Sequence, residues 1–251
     1  MHGSPQCDVR SVRHLLESTS AKLLLYSPHL STLAASSAAS SACVHQVLPP
    51  SEDGDIYFPH SWWPTPLFIS SSSVAYIHHT SGTTSGLPKL APQLHAGASL
   101  FLPCLPPKEP VATLTTTPLY HGGVADLFRS MMSRSMIWFF PPSVPITAQN
   151  IVHAISVANE LLPGSPVKLF TGVPYIQKIC LENGESLRAL RNMDMVGYGG
   201  AQLPESVGNA LVNCGVKLVS RFGSTECGCK SNLCSVRCVR IMLTPTYLQF
   251  C

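Results

Sequence analysis

Charge is scarce in this sequence. Only 12% of its 251 residues are Asp, Glu, Lys or Arg, about half the usual share. That excludes a polyelectrolyte tail, a coiled coil and a charge-driven disordered chain. The formal net charge is +3 and no basic run is present, so a nucleic-acid partner has little electrostatic support. No apolar stretch reaches the roughly 18 residues of a membrane span. The start, MHGSPQCDVR, has no apolar run after its charge, which argues against a secretory signal. Cysteine is sparse over most of the chain: Cys7, Cys43, Cys104, Cys180 and Cys214 are the only ones in the first 226 residues. Such scatter suits a reducing cytosol better than a disulfide scaffold. The expectation is a cytoplasmic protein that binds neither nucleic acid nor membrane. What is there is apolar residues at 45%, in a chain long enough to bury a core.

The first third reads irregularly. Ser11–Thr19 has the spacing of a short amphipathic helix, with Val12, Leu15 and Leu16 on one side, and Lys22–Tyr26 reads as a strand. Residues 31–41 are a Ser/Ala low-complexity loop by composition, and residues 49–73 read as a Pro/Ser-rich connection. From Val74 the pattern becomes regular. Strands are expected at Val74–His78, Val111–Thr116, Met136–Phe140, Val167–Phe170, Met193–Tyr198 and Val216–Phe222. Helices are expected at Gln93–Leu102, Val124–Arg134, Ala148–Leu161, Tyr175–Leu181 and Glu205–Cys214, with Pro204 as a first helical residue. In the second of these Leu127, Met131 and Arg134 are neighbours by spacing. The third has the clearest stripe, Ile151, Ile155 and Ala158, with Asn150 and Asn159 away from it. Strand and helix alternate, which predicts an α/β fold with a mainly parallel sheet flanked by helices.

Three stretches carry chemistry. The first is Tyr76-Ile77-His78-His79-Thr80-Ser81-Gly82-Thr83-Thr84-Ser85-Gly86-Leu87-Pro88-Lys89. Here a strand runs into a loop with five hydroxyl residues, two glycines and a lysine. Glycines permit backbone turns that expose successive N–H groups, and Lys89 adds a mobile cation. Such donors suit polyphosphate oxygens, and charge-assisted bonds are worth roughly 1.5–3 kcal/mol each. It is not the common P-loop, because Leu87-Pro88 separates Gly86 from Lys89. The second stretch is Thr117-Pro118-Leu119-Tyr120-His121-Gly122-Gly123, where an imidazole near neutral pKa can donate to a carboxylate. The third pairs Tyr198-Gly199-Gly200-Ala201 with Arg221-Phe222-Gly223-Ser224-Thr225-Glu226-Cys227-Gly228. Taken singly, each is compatible with a turn or a helix cap.

Taken together and in this order, the motifs resemble those of the adenylate-forming superfamily. That group holds acyl- and aryl-CoA synthetases, luciferases and the adenylation domains of nonribosomal peptide synthetases (NRPS). Ser85 and the preceding Tyr76–His79 look most like fungal NRPS-like enzymes, including carboxylic acid reductases. The resemblance implies a phosphate loop at Thr80, Ser81, Gly82, Thr83, Thr84, Ser85, Gly86 and Lys89. It implies an adenine platform at Gly199, Gly200 and Ala201, an aromatic against the base at Phe222, and Gly223 beside it. It further implies a hydroxyl toward the α-phosphate at Thr225, a Mg²⁺ carboxylate at Glu226 and an acyl-pocket histidine at His121. ATP, Mg²⁺ and a small carboxylic acid are the ligands implied. A phosphopantetheine carrier is implied for a full-length parent.

Departures from the family shape the remaining expectations. Residues 1–228 read as a partial adenylation core and residues 229–251 as a tail outside the family, mistranslated or disordered. The family's ribose-binding aspartate, and the lid subdomain whose lysine reaches the α-phosphate, have no recognisable counterpart in that tail. The expectation is a core that binds ATP or AMP without adenylating an acid on its own. Uncovered apolar surface would then promote association. One competing reading is a catalytically inactive fragment, kept for a nucleotide or a partner. Another is a zinc tail on Cys227, Cys229, Cys234 and Cys238, though their C-x-C-x₄-C-x₃-C spacing matches no strong zinc signature.

Overall fold

The computed structural model describes residues 7–39, 43–47, 69–80, 82, 86–100, 110–225 and 228–234. The chain divides into two units, 1–95 and 96–251.

The first unit opens with helix α1 (Val9–Thr19), two residues longer at its start than the apolar spacing predicts. Asp8 caps it: its Oδ1 accepts the Ser11 N–H at 2.7 Å, and the Ser11 side chain, then its N–H, hold the carboxyl below its usual pKa. Leu15 and Leu16 are its buried residues. Strand β1 (Leu23–Tyr26) pairs in parallel with β2 (Val44–Val47), Leu23 opposite Val44. Between them a 3₁₀ turn at Pro28–Leu30 leads into α2 (Ser31–Ala38). The Ser/Ala stretch expected to be a loop is therefore helical over those eight residues. Ala34, Ser37 and Ala38 supply its buried side, and Ser37 Oγ donates a hydrogen bond to the Leu33 carbonyl at 2.7 Å. Residues 40–42 and 48–68 of the two expected connections lie outside the described residues. Strand β3 (Val74–His79) then forms an antiparallel hairpin with β4 (Leu90–Leu94). Strand β4 takes the first residues of the helix expected from Gln93, so α3 begins only at His95 and runs to Leu100. Residues 101 and 102 of that expected helix lie outside the described residues.

The second unit is built on one six-stranded sheet. Its strands are β5 (Ala112–Thr115), β6 (Met136–Phe139), β7 (Val167–Gly172), β8 (Met195–Tyr198), β9 (Leu218–Ser224) and β10 (Gly228–Cys234). Their spatial order is β10-β9-β8-β7-β5-β6, with every pair parallel except β10 on β9. The helices are α4 (Gly123–Met132), α5 (Ala148–Leu161), α6 (Pro174–Leu181), α7 (Gly184–Arg191) and α8 (Glu205–Asn213). This is the α/β arrangement that the strand–helix alternation predicts.

The two faces of the sheet differ. Ala112, Leu114, Phe170, Val196, Tyr198 and Leu218 belong to one apolar core with Ile151, Ile155 and Ala158 of α5, Ile176 and Cys180 of α6, Leu190 of α7 and Leu211 of α8. Strand residues alternate between faces, so Thr113, Thr115, Thr171 and Gly197 share the opposite face. Thr115, Thr171 and Gly197 are consecutive register partners. The α5 stripe is buried as its spacing requires, and Asn159, off that stripe, accepts the Val167 N–H at 2.7 Å. Helix α4 departs from its apolar spacing. Met131 is 63% exposed, while Asp126, Arg129 and Ser130 are buried. Pro204 is the residue before α8 and has extended backbone (ψ 134°), so the helix opens at Glu205.

Candidate functional site

The sheet has a topological switch point. Strand β5 is followed in sequence by β6 on one side of it and by β7 on the other. Loops leaving the carboxyl ends of parallel strands diverge there and open a crevice, the usual ligand position in doubly wound sheets. The residues at those carboxyl ends are Thr116–His121 after β5, Gly172-Val173 after β7, Gly199–Ala201 after β8, and the far end of β9.

The loop after β5 is folded tightly on itself. The His121 and Gly123 N–H groups donate to the Pro118 carbonyl at 3.0 and 3.1 Å. Tyr120 is half-buried and His121 is exposed. Thr116 ties this loop to the next strand, since both its N–H and its Oγ1 donate to the Thr171 carbonyl, at 3.0 and 3.1 Å.

Strand β8 ends in the Gly-Gly-Ala loop. The Gly199 N–H donates to the Gly172 carbonyl at 3.3 Å. A Cβ on Gly199 would lie 2.8 Å from the Arg221 carbonyl oxygen, so only glycine lets β9 pass this closely. Gly200 has φ +84°, a left-handed conformation, with nothing within 4 Å of an added Cβ except Val173 Cγ1 at 3.9 Å. Gly200 and Ala201 are exposed. Strand β9 outruns β8: the pairing ends at Tyr198 with Ser220. Beyond it Phe222, Gly223 and Ser224 pair only with β10. The described residues of the third motif therefore stand at or past the carboxyl edge of the sheet, with Thr225 directly after β9. Glu226 and Cys227 lie outside the described residues. Cys229 and Cys234 fall within β10 and Cys238 outside the described residues. Among the described residues no cluster of three His, Cys, Asp or Glu has metal-binding placement.

In the first unit, the hydroxyl-rich loop is the tip of the β3–β4 hairpin. Its base is closed by the Thr80 N–H donating to the Lys89 carbonyl at 3.0 Å, and the Lys89 N–H donating to Thr80 Oγ1 at 3.2 Å. A Gly86 N–H bond to the Gly82 carbonyl at 2.7 Å closes a smaller ring inside. Gly82 has φ +69° and is buried, and a Cβ there would lie 2.2 Å from the Leu87 carbonyl oxygen. Lys89 is exposed. Ser81, Thr83, Thr84 and Ser85 lie outside the described residues.

One group of residues at the sheet edge escaped the reading of the sequence. Asp126 is fully buried. Its Oδ2 accepts from Thr115 Oγ1 at 2.9 Å and Thr171 Oγ1 at 2.7 Å. Its Oδ1 pairs with Arg129 Nη2 at 3.2 Å and with Arg221 Nη1 at 2.8 Å. The signal available was the Thr-x-Thr alternation at Thr113 and Thr115, which puts hydroxyls on one face of a buried strand and demands polar partners there.

Comparisons with known proteins agree with this architecture. The family model for AMP-binding enzymes matches residues 4–246. A non-ribosomal peptide synthetase, ascB, of Acremonium egyptiacum is 31% identical over 242 residues, 90% of this chain and 21% of that protein. An adenylate-forming reductase of Aspergillus terreus is 35% identical over 158 residues, 61% of this chain and 14% of its own length. The chain thus spans about a fifth or less of these relatives. Among solved structures, the O-succinylbenzoate coenzyme A synthetase of Bacillus subtilis, in complex with ATP and magnesium ion, superposes with TM-score 0.73 at 16% identity, covering 94% of this chain and 46% of that one. The luciferase-like enzyme of the mealworm Zophobas morio does so with TM-score 0.71 at 18% identity, covering 96% and 57%. By its motifs, its sheet and the family model that spans it, the chain belongs to the AMP-binding, adenylate-forming enzymes.

Proposed function

We propose that this chain is the nucleotide-binding core of an adenylation domain, residues 1–228 carrying the site. One observation carries the reading. The described motif residues of the second unit lie at the carboxyl ends of β5, β8 and β9, the side of an open parallel sheet that holds its ligand. Gly199 and Gly200 supply a side-chain-free surface for a flat base, Ala201 adds only a methyl, Phe222 is its aromatic cover, and Gly223 leaves room beside it. Thr225 offers a hydroxyl to the α-phosphate, and Glu226 a hard oxygen ligand for Mg²⁺. The hairpin loop from Thr80 to Lys89 offers hydroxyl, N–H and ammonium donors of the kind that phosphate oxygens take. His121 faces the acid to be activated. In a longer protein of this kind, a carboxylate oxygen attacks the α-phosphorus and the bond to pyrophosphate breaks. The acyl group then passes from the adenylate to a phosphopantetheine thiol. Both reactants are anions, so positioning and charge neutralisation carry such a step.

Titration calorimetry of the 251-residue chain with ATP and with AMP, both with Mg²⁺, tests the binding half. The expected result is saturable binding of both. Lys89→Ala should weaken ATP about tenfold or more, the loss of a charge-assisted bond, while leaving AMP within about twofold. Absence of saturable binding of either nucleotide would overturn the reading.

A further inference from the structure

The geometry points to Asp126 and Arg221 as a positioning pair that holds the far end of β9, and with it the Phe222–Thr225 segment, against the loops after β5 and β8. Four elements converge on one carboxylate. Thr115 comes from β5, Thr171 from β7, Arg129 from α4 itself and Arg221 from β9. Two hydroxyl bonds satisfy Oδ2, while two guanidinium ion pairs offset the charge at Oδ1. A charge this deeply buried persists only when so matched.

Arg221 is the long-range member. Strand β9 is separated from β7 by β8, so its side chain must pass over β8 to reach Asp126. It does so at Gly197, where an added Cβ would lie 3.0 Å from Arg221 Cδ. Gly197 is the gap in β8 through which the guanidinium crosses. The Arg221 backbone lies against Gly199 as well, its carbonyl oxygen 2.8 Å from that residue's Cβ position. The residue next in sequence is Phe222. Anchoring Arg221 at both backbone and guanidinium therefore fixes where the β9 overhang begins and how closely it passes the Gly199 loop. Arg129 pairs with the same carboxylate from three residues along the same helix, and its Nη2 also donates to Thr113 Oγ1 at 3.4 Å. It balances the charge from α4, the helix that carries Asp126.

That contrast makes the pair testable. Its consequence for nucleotide affinity rests on the function proposed above, but its structural core does not. Hydrogen exchange by mass spectrometry is measured on the ligand-free chain, well below the melting temperature of each variant. Arg221→Gln should raise exchange about tenfold or more in peptides covering 199–201 and 220–225, leaving α5 and α6 unchanged. Arg221→Lys, which keeps a cation of similar reach, should recover part of the protection. Arg129→Gln should lower the melting temperature without singling out those peptides. Calorimetry with ATP should show about tenfold weaker binding for Arg221→Gln and a smaller loss for Arg221→Lys. Where Asp126→Asn folds, its double variant with Arg221→Gln should bind no more weakly than the worse single variant. Uniform loosening by Arg221→Gln, or the same peptide pattern from Arg129→Gln, would reduce the pair to general stability and overturn the proposal. If the wild-type chain binds no ATP yet Arg221→Gln loosens only those peptides, the pair stands and the nucleotide reading fails.

Discussion

Cys180 shows what burial does to a single group. It is fully buried in the core between the sheet and its helices. Desolvation pushes its thiol from 9.0 to about 11, opposed only in part by Ser186. At pH 8 the thiol stays protonated and out of reach, so iodoacetamide should leave Cys180 unmodified in the folded chain while alkylating half-buried Cys214, with peptide mass spectrometry as the readout. The sign of the alkaline effect follows. The folded state keeps its proton after the unfolded state has lost it, so this contribution is intact below pH 9 and lost as pH rises through 11. Its size is about 2 to 3 kcal/mol, and Cys180→Ala should flatten that part of the stability curve. Glycines make a second contrast. Gly82 and Gly86 both have positive φ, but a Cβ on Gly82 meets the Leu87 carbonyl at 2.2 Å whereas one on Gly86 meets nothing. Gly86→Ala should cost only the backbone strain, about 1 kcal/mol. Gly82→Ala forces the loop to reopen and should lower ATP affinity more than Gly86→Ala does, by calorimetry.

At the scale of elements, what could be read depended on contrast. Helix α5 was legible because Ile151, Ile155 and Ala158 fall on one turn-spaced line. Helix α2 was not, because Ser and Ala differ too little in polarity to draw a stripe. Strand β4 was hidden by Pro92 and Gln93, which a hairpin edge tolerates. Helix α4 misled because its buried side is ionic: Asp126 and Arg129 turn inward to the threonine face while Met131 turns out. The motif residues were legible as a pattern of types. Their common position at strand ends was not, since only the sheet order places β5 between β6 and β7. Helix α7 was missed although its cap was visible. Asn183 Oδ1 accepts from the Glu185 and Ser186 N–H groups at 3.1 and 3.0 Å, with Arg188 and Arg191 in the last turn. Asn183→Ala should cost about 1 kcal/mol. For a chain of this size that lowers the melting temperature by about 2 to 4 °C in a calorimetric scan. Asn183→Asp should hold most of it, since the carboxylate caps equally well and suits the positive helix start.

At the scale of the molecule, the two units differ in what holds them. The second has a continuous core running from Ala112 to Leu218, with strands β5, β7 and β8 each hydrogen-bonded on both sides. Among the described residues the first has two separate two-stranded sheets. Among the described residues its buried apolar ones are Leu15, Leu16, Ala34, Ala38, Cys43 and Ala91, several of them small. Two-stranded sheets are marginal alone, and regions with little buried apolar surface open at lower free energy than the core. Native-state hydrogen exchange should therefore rank the amides. Those of β7 and β8 should exchange only through global unfolding, while those of β1, β2, β3 and β4 should exchange through cheaper partial opening and be less sensitive to denaturant. The hairpin is also where the proposed phosphate donors sit. Ligand that binds the closed hairpin stabilises it by RT ln(1 + [L]/Kd), about 2.7 kcal/mol at a hundredfold excess over Kd. Saturating ATP should thus slow exchange around Thr80 and Lys89 about a hundredfold, and AMP, lacking the outer phosphates, should do less. Equal protection of β3 and β7 without ligand would show that the first unit is held as firmly as the core, and the argument from buried surface would fail.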